Sequence, residues 1–273
     1  MKVGIVVLSW NSREFIGACL EGLRRHETTS PVYVVDNGST DGSPEIVARA
    51  HPEVTVISLP ANLGFAGGSN VGVARALMDG CDAVALLNND TVIDEPFIDP
   101  CVRVLDEHPD IGIVGPVIVE AEHPTVVQCR GGRIGLWTLD FSSKGVGEKF
   151  ERLDQYDVVD YVLGAAMIVR REVLVHTGGL DAEFFPAYVE EADLCFRARR
   201  LGYLSVVYRG ARVRHVGAKS GGTRATSFRR FTVNRLRFGL KHLDAMQFFV
   251  AAQATIVRVV IHKIRDRRRA AVR

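Results

Sequence analysis

The chain has few cysteines and none placed where paired sulfur chemistry needs them: Cys19, Cys81, Cys101, Cys129 and Cys195 are odd in number, far apart and without a C-x-x-C spacing. This argues against a disulfide framework or a cysteine zinc cluster and points to a reducing, cytoplasmic setting. Long apolar runs are missing too. The uncharged stretch Ala245 to Val257 has thirteen residues, short of the roughly twenty that a spanning helix needs. Val3 to Leu8 is too short for the core of a signal sequence and turns polar at Ser9, so it reads as a first strand. Neither sign of charge dominates, since the net charge is +2, but Arg258 to Arg273 holds seven Lys or Arg against Asp266 alone, which leaves the remainder at −4. A net-negative body argues against a nucleic-acid binder. With no internal repeat and no interdomain linker, the simplest division is one domain with a C-terminal appendage.

What is present is an ordinary globular mixture, 47% hydrophobic and 24% charged, arranged in a repeating order. The apolar runs Val3–Ser9, Val32–Asp36, Val54–Leu59 and Ala83–Asn88 read as buried strands, with helices near Glu14–Arg25, Pro44–Ala50 and Ser69–Asp79 between them. Such alternation predicts parallel strands with helical crossovers, and ligands in open sheets of this kind sit beyond the carboxyl ends of the strands. From Ala121 to Asp157 the pattern loosens into a glycine-rich stretch with no assignable element. Val158–Val169 then reads as a strand pair, Val189–Leu201 as a charged helix and Ser205–Val207 as a strand.

The loops after the four strands carry the candidate chemistry. Asp36 ends a strand before Asn37-Gly38-Ser39, so its carboxylate can meet a base or ribose, or can simply close an Asx turn. Gly64, Gly67 and Gly68 permit close approach of a ligand, and the start of a helix at Ser69 favours phosphate. A glycine-rich loop after the third strand is, however, not the dinucleotide fingerprint, which follows the first. Asn88-Asn89-Asp90 ends a buried run in three oxygen-bearing side chains, an arrangement suited to a hard divalent ion shared with a diphosphate. The plain alternative is a cap for a helix after Pro96. Glu190, Glu191 and Asp193 crowd the start of a helix after the apolar Phe184-Phe185-Pro186-Ala187-Tyr188, which would desolvate a carboxylate and raise its pKa toward that of a general base.

Taken together, Val6-Val7-Leu8-Ser9-Trp10-Asn11, Val35 to Gly42, Asn62-Leu63-Gly64-Phe65-Ala66-Gly67-Gly68-Ser69-Asn70, Leu87-Asn88-Asn89-Asp90 and Glu190-Glu191-Ala192-Asp193-Leu194 resemble the family 2 glycosyltransferases of the GT-A fold, most closely the bacterial rhamnosyltransferase-like branch. The resemblance covers about Lys2 to Leu243. It implies an α/β fold in which a single GT-A domain, residues 1–225, holds a mainly parallel central sheet flanked by helices. Within it a nucleotide-sugar half (about 1–119) precedes an acceptor and catalytic half (about 120–225), and 226–273 form C-terminal helices and a basic tail.

The resemblance further implies that Ser9, Asn11, Asp36, Asn62, Gly64, Gly67, Asn70, Asn88 and Asn89 surround the donor. Asp90 and His215 would bind a divalent metal ion, Mg2+ or Mn2+. Asn88 and Asn89 stand where the family often has acids. Glu191 takes the place of the family's usual catalytic Asp, with Glu190 as the alternative base. Gly164, Ala165, Tyr188 and Asp193 would face the acceptor, and Gly217–Thr223 resembles a loop that closes over the donor. The activity implied is an inverting, metal-dependent transfer of a sugar from a nucleoside diphosphate, dTDP-rhamnose before UDP-sugars, to a glycan or polyprenyl-diphosphate-linked acceptor in cell-envelope polysaccharide synthesis. For the C-terminal segment, a helix lying on the inner membrane surface and a homodimer helix are both compatible readings. Two rivals remain. A nucleotidyltransferase would share the sheet, glycines and metal carboxylate but needs a basic loop after the first strand, which Ser9–Ser12 is not; the other is a non-catalytic nucleotide-sugar or nucleic-acid binder.

Overall fold

A computed structural model describes residues 1–217 and 224–271, with side chains described up to 261 except at 224–225. The expected closing loop beyond Gly217 therefore lies outside the described residues.

Four parallel strands, β1 (Val3–Ser9), β2 (Val32–Asp36), β3 (Thr55–Ser58) and β4 (Ala83–Asn88), are joined by helices α1 (Ile16–His26), α2 (Ser43–Ala50) and α3 (Gly64–Met78). They pair in parallel, as the alternating sequence predicts, and lie in the order β3-β2-β1-β4. After β4 the chain forms the short β5 (Thr91–Val92), α4 (Ile98–Glu107), β6 (Ile111–Glu120) and β7 (Val127–Cys129), then a separate antiparallel hairpin of β8 (Gly132–Gly135) and β9 (Asp140–Ser143). These strands occupy the stretch whose sequence has no legible period.

The second half supplies β10 (Tyr156–Val159), β11 (Ala166–Arg170), α5 (Arg171–Thr177), α6 (Glu190–Arg200) and the long β12 (Leu204–His215). The strands β10 and β11 are not partners, contrary to the expected pair. Instead β11 lies antiparallel between β4 and β6, while β10 lines the outer edge of β12. The expected strand Ser205–Val207 extends to His215 because β6 accompanies it in parallel across an irregularity between Tyr208 and Arg212.

The central strands bury both faces, so alternate residues feed two cores. Val6, Val35, Val84 and Leu86 pack toward α3 and α6, whereas Ile5, Val7, Ala85 and Leu87 pack toward α1 and α4. Two further helices, α7 (Arg224–His242) and α8 (Ala245–Ala271), close the first core through Phe238 and Ala251. The register aligns Ser9 with Asp36, Asp36 with Ser58 and Leu8 with Asn88. Four loops thus emerge along one sheet edge.

Candidate active site

At that edge Asp36 is buried, and its carboxylate accepts the Ser39 amide at 3.3 and 3.4 Å, an Asx turn that faces the carboxylate along the edge. Asn11 sits at φ 47° and clamps the first two loops together: its amide N–H donates to Ser39 Oγ and its Oδ1 accepts from Thr40. Ser9 and Ser12 share a 2.6 Å hydroxyl contact beneath it. In the third loop Asn62 Oδ1 accepts from Gly64 N–H at 2.8 Å and from Asn37 Nδ2 at 3.1 Å. Asn37, which sequence reasoning passed over, ties the second loop to the third.

The glycines act otherwise than expected. Helix α3 begins at Gly64, not at Ser69, so Gly67 and Gly68 lie inside its first turns. A Cβ on Gly68 would come 2.5 Å from Leu8 Cδ1, and one on Gly64, whose φ is +76°, would come 2.8 Å from Phe185 Cδ2 and from the Pro186 carbonyl. These close approaches are to protein, and the Phe65 N–H at the helix start is already taken by Pro186 O at 2.7 Å. Asn70 is committed as well, for Nδ2 donates to Leu180 O and Oδ1 accepts from Leu180 N–H, which ties α3 to the turn before α6.

Asp90 is buried and its Oδ1 lies 3.2 Å from His215 Nε2, with Asn88 Nδ2 3.4 Å from the same nitrogen. Asn89 Nδ2 donates to Leu8 O at 3.0 Å, which fixes the triplet against β1. The alternative of a helix cap fails, because α4 is capped by Glu27, whose Oε1 accepts from Phe97 and Ile98 N–H at 2.7 and 3.1 Å. His215 reaches Asp90 from the end of β12, which pairs with β5 at Thr91. Its Nδ1 meets Gln128 Oε1 at 2.9 Å. Gln128 comes from β7, in the stretch that carries no periodic signal, so no sequence feature marked it.

Among the described residues no three His, Cys, Asp or Glu side chains converge as a metal cage. The chemistry of the pair nevertheless fits an ion shared with a ligand. Two adjacent donors of an octahedral Mg2+ or Mn2+ stand roughly 3 Å apart, close to the 3.2 Å found between Asp90 and His215. A diphosphate would complete the shell.

The candidate base lies across the sheet edge. Tyr188 and Val189, at φ 85° and 80°, form a strained approach to α6. Two elements hold this approach: Asn234 Nδ2 of α7 lies within 3.1 Å of the Phe184, Ala187 and Tyr188 carbonyls, and α3 donates to Pro186. Tyr188 Oη meets Ser227 Oγ at 3.2 Å. Glu190 is buried with Oε2 unpartnered, and burial, helped by the neighbouring Glu191 charge, pushes its pKa well up. Glu191 is half-buried, and desolvation raises it to about 7. A Cβ at Gly164 would lie 3.6 Å from the Phe65 ring and 3.8 Å from Glu191 Cβ, so Gly164 lies between the start of α3 and the base of this side chain. Ala165 packs into the opposite core, its carbonyl accepting from Asn88 N–H at 3.0 Å.

Asp193 does not join this group. Burial pushes it up, but His242, Arg197 and Lys241 outweigh that and hold it below the usual carboxylate range, at contacts of 2.7, 2.7 and 2.9 Å. It ties α6 to the end of α7 and has no oxygen to spare for an acceptor.

A parallel β3-β2-β1-β4 half with an Asp-bearing edge, extended by a mixed half whose strand β12 returns a histidine to that edge and whose helix α6 carries the carboxylates, is the GT-A architecture. Solved structures share it. GalNAc-T7 with UDP, GalNAc and Mn2+ superposes at a TM-score of 0.67 with 12% identity, over 87% of this chain but only about half, 48%, of that one. The Pyrobaculum calidifontis mannosyltransferase PcManGT with GDP-Man and Mn2+ gives 0.62 and 18%, over 93% and 68%. Residues 4–176 match the family model described as glycosyl transferase family 2. Over 222 residues the chain is 30% identical to the Mycobacterium tuberculosis N-acetylglucosaminyl-diphospho-decaprenol L-rhamnosyltransferase, covering 71% of this chain and 70% of the relative. A Haloferax volcanii low-salt glycan biosynthesis hexosyltransferase is 25% identical over 199 residues, 72% of this chain and 62% of its own. The chain belongs to glycosyl transferase family 2, on its rhamnosyltransferase-like branch, and is a glycosyltransferase.

Proposed function

We propose that the protein transfers rhamnose from dTDP-rhamnose, with inversion and with the help of a divalent metal ion, to a polyprenyl-diphosphate-linked glycan acceptor in cell-envelope polysaccharide synthesis. The observation that carries this reading is Glu191, a half-buried carboxylate in the first turn of α6 that desolvation raises to about 7 and whose Cβ lies against Gly164. The name of the mycobacterial relative, an N-acetylglucosaminyl-diphospho-decaprenol L-rhamnosyltransferase, supports the choice of sugar and of lipid-linked acceptor.

In this mechanism Asp36 receives the nucleoside at the carboxyl edge of β2. Asp90 and His215 would hold the metal, which supplies charge neutralisation of the departing diphosphate when bound. Ionised Glu191 accepts the proton of the acceptor hydroxyl as its oxygen bonds to the anomeric carbon, and the bond from that carbon to the diphosphate oxygen breaks with its electron pair on the leaving group. The displacement is single, so the anomeric configuration inverts. Burial, with the neighbouring Glu191 charge, holds the Glu190 carboxyl well above the usual carboxylate range, which disfavours a second negative charge beside Glu191. The strained Tyr188–Val189 turn and its clamps fix the position of the base.

The test is product analysis. The purified chain is incubated with Mn2+ or Mg2+, an N-acetylglucosaminyl-diphospho-lipid and, separately, dTDP-rhamnose, UDP-glucose and GDP-mannose. A mass increment of one deoxyhexose with dTDP-rhamnose alone, in the anomeric configuration opposite to the donor, supports the reading. Transfer from another donor overturns the sugar, and retained configuration overturns the mechanism.

A further inference from the structure

Helix α8 turns an apolar face to solvent. Met246, Phe249, Ile256, Val257, Val260 and Ile261 are 44–70% exposed, and at 3.6 residues per turn they fall on one side of the helix, opposite the buried Ala251 and Thr255. Gln253 is the polar residue within that stripe. Scattered exposed hydrophobics are ordinary, but a continuous row over four turns signals a missing partner. Among the described residues no helix is long and apolar enough to cross a membrane, so the stripe suits contact along a surface.

Charge identifies the surface. From Arg224 onward the sequence contains thirteen Lys and Arg and two acids, Asp244 and Asp266. Docking a second copy through the same face would bring two such cationic helix pairs together, whereas an anionic lipid surface complements them. Trp137, half exposed in the β8–β9 turn, stands beside the helix, since Arg258 Nη1 donates to the neighbouring Thr138 carbonyl at 3.1 Å. An indole so placed suits the headgroup level. The helix also folds back along α7: a Cβ on Gly239 would come 2.9 Å from the Phe248 ring, and Arg235 and Arg258 both reach the Leu139 carbonyl at 3.4 Å.

We infer that the exposed face of α8 and its basic continuation form a docking surface for an anionic membrane, on the helix pair that braces the catalytic loop. For lipid-linked acceptors this deepens the proposed function and rests on it, but the binding itself does not, so the two are measured separately. Full-length protein is sedimented with vesicles of phosphatidylcholine alone or with about a third phosphatidylglycerol, beside the variant Phe249→Ser/Ile256→Ser/Val260→Ser and the variant Arg267→Gln/Arg268→Gln/Arg269→Gln. The wild type should pellet with the anionic vesicles only, and each variant should partition at least tenfold less. Turnover on a water-soluble acceptor should stay unchanged, which also shows that the variants fold. Equal partition to neutral and anionic vesicles, or none to either, overturns the inference. So does a wild-type dimer in sedimentation velocity that the serine variant converts to monomer, which would make the stripe a contact between copies. Vesicle binding without any sugar transfer counts against the proposed function alone.

Discussion

Gln128 Oε1 lies 2.9 Å from His215 Nδ1, and Asp90 Oδ1 lies 3.2 Å from Nε2 on the other side of the ring, so Gln128 orients the imidazole toward Asp90 as an outer-shell partner orients a metal-ligating histidine. Gln128→Leu should therefore weaken metal-supported donor binding about 10- to 100-fold, read as the shift of a Mn2+ titration in the presence of dTDP. An unchanged titration would mean that His215 is not oriented for metal. At Glu191 the expectations for rate and stability have opposite signs. As a base it works ionised, so kcat should climb with pH through about 7, and Glu191→Gln should lower kcat by about two to four orders of magnitude while the donor-induced thermal shift persists. Its folded pKa is raised above the unfolded value, so its contribution to stability is present at low pH and is lost as pH rises through about 7. Between the ordinary carboxyl value of 4.5 and about 7 the Gln variant should thus lose less Tm than the wild type. A Gln variant with full turnover would move the base to Glu190 or elsewhere.

At the scale of elements, legibility followed burial. The strands β1, β2 and β4 are buried apolar runs that end in polar loops, so sequence pattern placed them at their observed bounds. Residues 121–157 were illegible because β7, β8 and β9 are three- and four-residue strands, too short to show a period, and Gln128 was hidden with them. The glycines misled for a different reason: a missing Cβ records close approach without saying to what. Here the neighbours are Leu8, Asn37, Phe185 and Pro186, so the glycine loop couples α3 to the loop bearing the base. Gly64→Ala should destabilise by roughly 1–3 kcal/mol, from overpacking together with the positive φ, and should also lower kcat by displacing Phe185–Pro186. Gly17→Ala in α1 is the matched control, since nothing lies within 4 Å of its Cβ position and alanine favours a helix by roughly 0.5–1 kcal/mol. Thermal unfolding should separate the two in sign. Equal, small effects would mean that α3 does not press on the catalytic loop.

Across the whole molecule, the donor edge is assembled from sequence positions that are far apart. Asp36 and Asp90 belong to the parallel half, whereas His215 arrives only after the antiparallel strands have been laid down and β12 has paired with β5. A ligand held by all three would bind the native arrangement and not the unfolded chain, and would stabilise it by mass action. At a hundredfold excess over Kd that is about 2.7 kcal/mol, and at roughly 2–4 °C per kcal/mol for a chain of this size the shift in Tm is about 5–11 °C. With dTDP and Mn2+ the wild type should show such a shift, and omission of the metal should leave a smaller one. Asp90→Ala should respond to dTDP equally with and without metal, because only the ion's share has been removed. Asp36→Ala should lose stabilisation in both conditions, because the nucleoside contact would be gone whatever the ion does. If Asp90→Ala keeps a metal-dependent shift, the ion does not sit between Asp90 and His215, and the diphosphate must be neutralised from another side of the cleft.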